Sequence, residues 1–417
     1  MTIKWIKENP DFFKKNKMDR LIVLKGNTDI KEEFAKYAVM FKESAHLITK
    51  YIFEKTDISK LDTYFFSLAY LYRHSLELLL KAIGFKYILD LENRKDFIKD
   101  TFHNLSVLLE AVHPHIKDNV VKNWEAFKWL EAFLKDMNDI DKESDSFRYP
   151  FGITIKREPF DNKKYYGIKS FFERQTHIDL FAFANKMEIA FVILESYLLE
   201  IDINDELFKE YKPVFLEEGG DYYYQSVIGY SYSKDKFYPY VKAYTESAEY
   251  LYDCMCKDRK LNGLLFIPMC YLYRNAIELA MKEILFEECS YSFQETVGLM
   301  NDKKHSILGL WNSIKLDIIK HAQAPEDDTT LTNVEKYINQ LHNIDGQADK
   351  FRYPTDKHMN LHFKKPKKLD IENVVNFFGE LATFLNGVCM MMSAHNEWLA
   401  EMESEYRSEM ETYYREY

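Results

Sequence analysis

Arg73, Glu77 and Lys81 stand four residues apart in the stretch YLYRHSLELLLK, Tyr70–Lys81. That spacing lines them up along one stripe of a helix, where cation and carboxylate can pair. The same types recur as Arg274, Glu278 and Lys282 in YLYRNAIELAMK, Tyr271–Lys282. On an exposed helix such a ladder is worth roughly 0.2–0.5 kcal/mol per pair. These two ladders lie in apolar stretches, however, and an unpaired buried charge is strongly destabilising. Each charge is therefore expected to meet a partner across the fold, either as a structural ion pair or as part of a binding or catalytic site.

A second recurring group is DSFRYP at Asp145–Pro150 and DKFRYP at Asp349–Pro354. The guanidinium of Arg148 or Arg352, beside a proline that ends the helix, suits two parallel bonds to a carboxylate. Glu77 or Asp145 is the expected acid for Arg148, and Glu278 or Asp349 for Arg352. His103 and His305 each open a short helix, in FHNLSVLL and KHSILGLW. A histidine there is a cap, a satisfied partner or a proton carrier. His358 and His362 are four apart in HMNLH, a spacing that on a helix could grip a metal. They sit between Pro354 and Pro366, with no Cys or acidic ligand at a fixed spacing and no counterpart earlier in the chain. No metal site is expected. No phosphate-binding glycine loop, dinucleotide fingerprint, nucleophile elbow or HExxH motif is present, and no cofactor is expected.

The elements that must position these residues repeat with them. Arg73 and Arg274 are 201 residues apart, His103 and His305 202, Arg148 and Arg352 204, and ESA at Glu43–Ala45 returns 203 residues later at Glu246–Ala248. Landmarks in one order at near-constant spacing predict a duplicated domain, with a period far too long for a solenoid. The boundary is set at 203, giving a first helical domain at 1–203 and a second at 204–417. Helical periodicity predicts helices near Asp29–Glu54, Ser59–Glu92, a short one after His103, Val120–Asp141 and His177–Glu200. The second set falls near Tyr238–Asp258, Lys260–Cys289, His305–Lys320, Leu331–Ile344 and from Leu369 onward, with the charged end Glu397–Tyr417 reaching beyond the core. An irregular stretch follows Pro150. Strand-like runs, Arg20–Lys25 and Tyr222–Tyr230, precede each copy and allow a minor β-hairpin or small sheet. The expected fold is all-α, two tandem helical bundles packed as a pseudo-two-fold pair.

The totals agree with this outline. A chain of 417 residues exceeds what one core usually supports, and only 13 glycines imply long elements with few tight turns. The net charge of −11 argues against bulk electrostatic binding of nucleic acid, so any such contact must be local. An odd count of five cysteines, no CxxC and no secretory leader point to a reducing, cytoplasmic setting. No apolar run approaches the roughly 18 residues a membrane helix needs.

A helix ending in ExxxK, a short helix opened by His, a long helix closing on RYP and a last helix together resemble the HEPN superfamily, in particular the branch beside minimal nucleotidyltransferases. The resemblance covers about Tyr64–Glu200 and Leu265–Ser393. It implies helical bundles that pair face to face, often in toxin–antitoxin, antiviral-defence or RNA-processing systems. Many members are metal-independent ribonucleases with an Arg followed, after four to six residues, by a His. Arg352 and His358 fit that spacing, with Arg148 supplied from the opposite side of a cleft. The first copy has no His after Arg148 until His177, and RYP also marks members that bind without cleaving. Two readings follow: a metal-independent ribonuclease acting on RNA in a cleft between the copies, or a non-catalytic pseudo-dimer that binds a nucleotide, a nucleic acid or a partner protein. Self-association through HEPN-like faces is also implied, and no membrane partner.

Overall fold

The computed structural model describes residues 4–17, 20–55, 57–157, 164–204, 206–229 and 236–416. Tyr230 and Tyr417, at the ends of two expected elements, lie outside them. The chain opens with β1 (Leu21–Leu24), α1 (Ile30–Lys55), α2 (Ile58–Tyr87), α3 (Leu91–Thr101), α4 (Leu105–Val112), α5 (Lys117–Lys122) and α6 (Trp124–Ile140). It continues with β2 (Phe151–Arg157), β3 (Lys164–Ser170), β4 (Thr176–Asp179), α7 (Leu180–Leu199), α8 (Glu206–Lys209) and β5 (Gln225–Ile228). Then come α9 (Tyr238–Lys257), α10 (Asn262–Glu283), α11 (Phe293–Lys303), α12 (Ile307–Ala322), α13 (Thr330–Asp345), β6 (Lys367–Asp370) and α14 (Ile371–Glu416). Among the described residues the strands form only short antiparallel pairs, so the protein is mostly all-α.

Local chemistry explains where the helices depart from the periodicity. The expected helix Ser59–Glu92 stops at Tyr87 because Ile88 turns extended and Asp90 caps a separate helix, accepting from the Asn93 amide. Val120–Asp141 is interrupted at Asn123, which separates α5 from α6. The stretch after Pro150, expected to be irregular, is the hairpin β2–β3, with Phe151 opposite Ser170 and Arg157 opposite Lys164. Ser292 and Glu295 form a reciprocal capping box that starts α11.

The core is centred on α1, α2, α9 and α10. α1 packs along α2 and α9 along α10, while α2 also meets α9 and α1 meets α10. α7 flanks α2, and α14 flanks α10. Because neighbours surround it, α2 is buried at every position from Tyr64 to Phe85, and α10 from Leu265 to Glu283. The surface where the halves meet is aromatic. Phe66 stacks on Tyr240 at 3.9 Å between ring centroids, Tyr51 on Tyr250 at 4.3 Å and Tyr70 on Tyr271 at 4.8 Å. Offset stacking adds to the large apolar area such rings remove from water.

The lead-in strands cross over. β1, before α1, pairs with β6, before α14, while β5 pairs with β4, before α7. Their flanks follow. The Phe12 amide donates to Gln340 Oε1 at 3.0 Å, and the Phe12 ring meets Phe377 edge-on at 5.3 Å. In the other direction, Trp129 Nε1 donates to the Tyr211 carbonyl at 2.6 Å, and the Phe215 amide to Asp136 at 2.7 Å. α14 contains a stretch long and apolar enough by composition to cross a membrane, and half of that stretch is buried inside the protein. The core helix of a globular protein meets the same test.

Candidate functional site

The recurring residues gather at two places on the seam, and in each the halves exchange a tyrosine. At the first, Glu77 is the hub. Its Oε1 accepts from Lys81 Nζ at 2.6 Å and from the Tyr353 hydroxyl at 2.6 Å, and lies 3.0 Å from His103 Nδ1. Its Oε2 accepts from Arg73, whose second nitrogen donates to the His103 carbonyl. At the other, Glu278 accepts from Lys282 at 2.8 Å and from the Tyr149 hydroxyl at 2.7 Å, with His305 Nδ1 at 3.0 Å. Arg274 bonds Glu278 and also donates to the His305 carbonyl at 2.5 Å. Lys81 lies 4.7 Å from the centre of the Tyr353 ring, and Lys282 4.1 Å from that of Tyr149, both in cation–π range.

This arrangement decides the charge states. Burial alone would push the Glu77 carboxyl up, but Lys81, His103 and Arg73 outweigh it and hold it well below the usual carboxylate range. Glu278 is held low against burial by Lys282, His305 and Arg274. Burial pulls both lysines below their ordinary value, with Glu77 and Glu278 opposing. For His103, burial wins over the attraction of Glu77 and lowers the imidazole. For His305 the pull of Glu278 is the largest influence, yet burial with Arg148 and Lys282 still leaves it lowered. Each ring is thus neutral near pH 7. Because each tyrosine hydroxyl gives its proton to the glutamate, Nδ1 carries the imidazole proton and Nε2 the lone pair. The His103 and His305 side chains remain 28% and 37% exposed, whereas Glu77 and Glu278 are fully buried.

Two matched backbone features aim these groups. Phe102 and Lys304 adopt positive φ, 45° and 48°, immediately before the histidines. Ser144 and Ala348 do so at 63° and 60°, just upstream of the FRYP turns. Here Asp141 Oδ1 accepts from the Asp145 and Ser146 amides at 2.8 and 2.9 Å, and Asp345 Oδ1 from Asp349 and Lys350 at 3.1 Å each. Their other oxygens face Arg73 Nε at 3.2 Å and Arg274 Nε at 3.7 Å. Asp141 and Asp345 were not among the expected site residues. The signal was present, since Ile-Asp precedes both FRYP turns at the same 204-residue offset.

The arginines of the turns are placed differently from one another. Arg148 meets Asp145 at 3.4 Å and donates to the Tyr149 hydroxyl at 2.7 Å. Arg352 donates to the Tyr70 hydroxyl at 3.0 Å and lies 3.4 Å from that of Tyr353, and no carboxylate is within ion-pair reach among the described residues. Its expected acids, Glu278 and Asp349, therefore do not hold it. Both arginines are buried. His358 is exposed on the tight turn between Thr355 and Leu361, where its amide donates to Asp356 at 2.8 Å. The structure joins Arg352 to tyrosines and leaves His358 apart. His177 stands on β4, 3.2 Å from Gln225 Oε1. No group of three metal-ligating side chains occurs among the described residues. Comparison with family models, with curated proteins and with solved structures gives no match to this chain.

Proposed function

We propose that the chain is a HEPN-like pair of duplicated helical units fused as a pseudo-dimer, and that it works as a non-cleaving recognition module for a partner protein. The carrying observation is that the cations of the recurring set are buried and already engaged. Arg73, Lys81, Arg274 and Lys282 are committed to Glu77 and Glu278, while Arg148 and Arg352 turn to tyrosines. Metal-free RNA cleavage needs a cation free to stabilise the charge that develops on the phosphate, beside a base for the 2′-hydroxyl. Arg352 is 6% exposed and His358 sits on a separate turn. The net charge of −11 further favours a protein over a nucleic acid or a nucleotide as ligand.

The test is RNA incubated with the purified chain in EDTA. The expected outcome is intact RNA, with Arg352→Ala lowering the melting temperature. Products ending in 2′,3′-cyclic phosphate, lost in Arg352→Ala with His358→Ala or in His103→Ala with His305→Ala while the fold persists, would overturn the reading. A second reading, a metal-independent ribonuclease of a defence or toxin system, is favoured by one observation. The half-exposed imidazoles of His103 and His305 are backed by buried carboxylates that fix the tautomer and leave Nε2 as a base. In that case cleavage depends on His103 and His305 and not on His358.

A further inference from the structure

We propose that the far end of α14, from Trp398 to Tyr414, is a docking arm that lies in an apolar groove edged by lysine and arginine on a partner protein; this rests on the recognition-module reading. The helix is pinned at its root. Asn396 Nδ2 donates to the Glu288 carbonyl at 3.0 Å and to its carboxylate at 2.9 Å, and Asn396 Oδ1 meets His321 Nε2 at 3.0 Å. Met392, one turn earlier, is fully buried. Beyond the root every residue from 397 to 409 is exposed. An isolated helix of this length is marginal in water, but here it continues one that packing has already nucleated. Glu403 and Arg407 add an intrahelical pair at 2.5 Å.

The exposed side chains are not those of a solvated helix. Turning about 100° per residue, Trp398, Leu399, Met402, Tyr406, Tyr413 and Tyr414 fall within an arc of about 160°. Trp398, Tyr406 and Tyr414 are 52%, 63% and 71% exposed. A mainly apolar stripe left in water marks an interaction surface. Its regular spacing suits a helix laid into a groove. Charge selects the occupant. Glu397, Glu401 and Glu411 lie on the opposite face by the same rotation, Glu405 flanks the stripe about 20° outside Trp398, and Glu409 and Glu403 fall just inside its two edges. Helices that lie on membranes carry Lys and Arg on the polar face, the reverse of this pattern. Pairing with the same arm of a second copy would set the bordering glutamates against each other, and nucleic acid is repelled outright. A groove edged with Lys and Arg supplies both the apolar floor and the matching charge.

The probe is a labelled helical peptide with a leucine face edged by lysines, titrated against the full chain and read by fluorescence anisotropy. A glutamate-edged version of the same peptide is the control. We expect the lysine-edged peptide to bind, to weaken with added salt, and to lose affinity by about tenfold or more when Trp398, Met402 and Tyr406 are all changed to serine. Glu403→Lys with Glu409→Lys should weaken it as well, and both variants should melt close to the parent, because the altered side chains lie outside the core and the contacts they lose, Trp398 with His395 and Glu403 with Arg407, are surface ones within α14 itself. Equal binding by the serine variant overturns the proposal, as does equal binding of the control peptide. So does arm-dependent dimerisation in sedimentation without peptide binding, or arm-dependent uptake by phosphatidylglycerol vesicles. None of the changes touches the seam, so the two readings fail separately. A chain that cuts RNA yet binds the peptide refutes only the non-cleaving reading. A chain that leaves RNA intact and ignores the peptide refutes only the arm.

Discussion

The two clusters on the seam are built from the same residue types, yet their surroundings differ. Around Glu77 and Glu278 the partners match one for one: Arg73 with Arg274, Lys81 with Lys282, His103 with His305 and Tyr353 with Tyr149. One step outward the match fails. Arg352 donates to the Tyr70 hydroxyl, while Arg148 has Asp145 and, among the described residues, donates nothing to the Tyr271 hydroxyl. His74 Nε2 sits 3.0 Å from the Arg352 carbonyl, whereas Asn275, its counterpart in the second copy of the motif, makes no such bond to Arg148 among the described residues. The difference shows where the constraint lies. A buried glutamate that accepts from two cations and a phenol, with an imidazole at 3.0 Å, ties all of them to one carboxylate, so no member can drift alone. An arginine facing aromatic rings can find a hydroxyl in more than one direction, and the two have done so differently.

The comparison can be broken most directly at its hubs. Glu77→Ala and Glu278→Ala each strand a buried arginine and a buried lysine, and should each cost about 3–5 kcal/mol in denaturant unfolding. A large loss in one and a small loss in the other would mean that the clusters are not energetically equivalent. Next come the exchanged hydroxyls. Tyr149→Phe and Tyr353→Phe each remove a bond to a carboxylate, worth about 1.5–3 kcal/mol. Tyr149→Phe should be the more damaging, since Arg148 donates to that hydroxyl at 2.7 Å whereas Arg352 stands 3.4 Å from its own. The sharpest contrast is predicted for Tyr70→Phe against Tyr271→Phe. The first removes an acceptor from a buried guanidinium and should cost about 1–3 kcal/mol, while the second should fall well below it.

Acid should erode both clusters together. His74, His103 and His305 have folded values below the ordinary imidazole, His74 mainly through burial. The folded chain therefore binds fewer protons than the unfolded one below about pH 6.5. Their contribution is intact above that value and is lost as pH falls through it, before the depressed carboxyls of Glu77 and Glu278 titrate. His103 faces Glu77, Lys81, Arg352 and Tyr353, and His305 faces Glu278, Lys282, Arg148 and Tyr149. Melting followed from about pH 8 to about pH 5 should decline at the acid end, and His103→Asn with His305→Asn should flatten the curve. The effect of that double change is moderate, because the His103 and His305 rings keep 28% and 37% exposure and are partly screened by solvent. Smallest of all is Asp145→Asn. Its carboxylate is 44% exposed and 3.4 Å from Arg148, so the change should stay under about 1 kcal/mol.

The seam was legible in the chain to the extent that it rests on residue types held at fixed offsets. Arg73, Glu77, Lys81, His103 and the FRYP turns stood out because they recur, and a charged stripe in an apolar helix demands partners. What did not stand out was which residue of FRYP crosses the seam. Arginine was the expected ligand for a carboxylate, but the tyrosine hydroxyl reaches Glu77 and Glu278 from the other half. Sequence spacing says nothing about such a crossing. The positive φ at Phe102, Lys304, Ser144 and Ala348 was hidden for a different reason, since none of them is a glycine that would announce the turn. The hairpin β2–β3 was missed because its run is interrupted by charged residues, and pairing between its strands sets its register.

The crossing of the lead-in strands has a consequence in time. Leu21–Leu24 pairs with Lys367–Asp370, so during synthesis the first strand waits until the chain has been made as far as Lys367 before its partner exists. Contacts so distant in sequence are slow to close, and an unpaired strand edge in the interval is open to wrong neighbours. Gln225–Ile228 faces no such delay, because Thr176–Asp179 has already been made. The two halves therefore carry matching clusters but unequal histories: β5 finds β4 as it emerges, and the molecule is closed by the residues that precede α14.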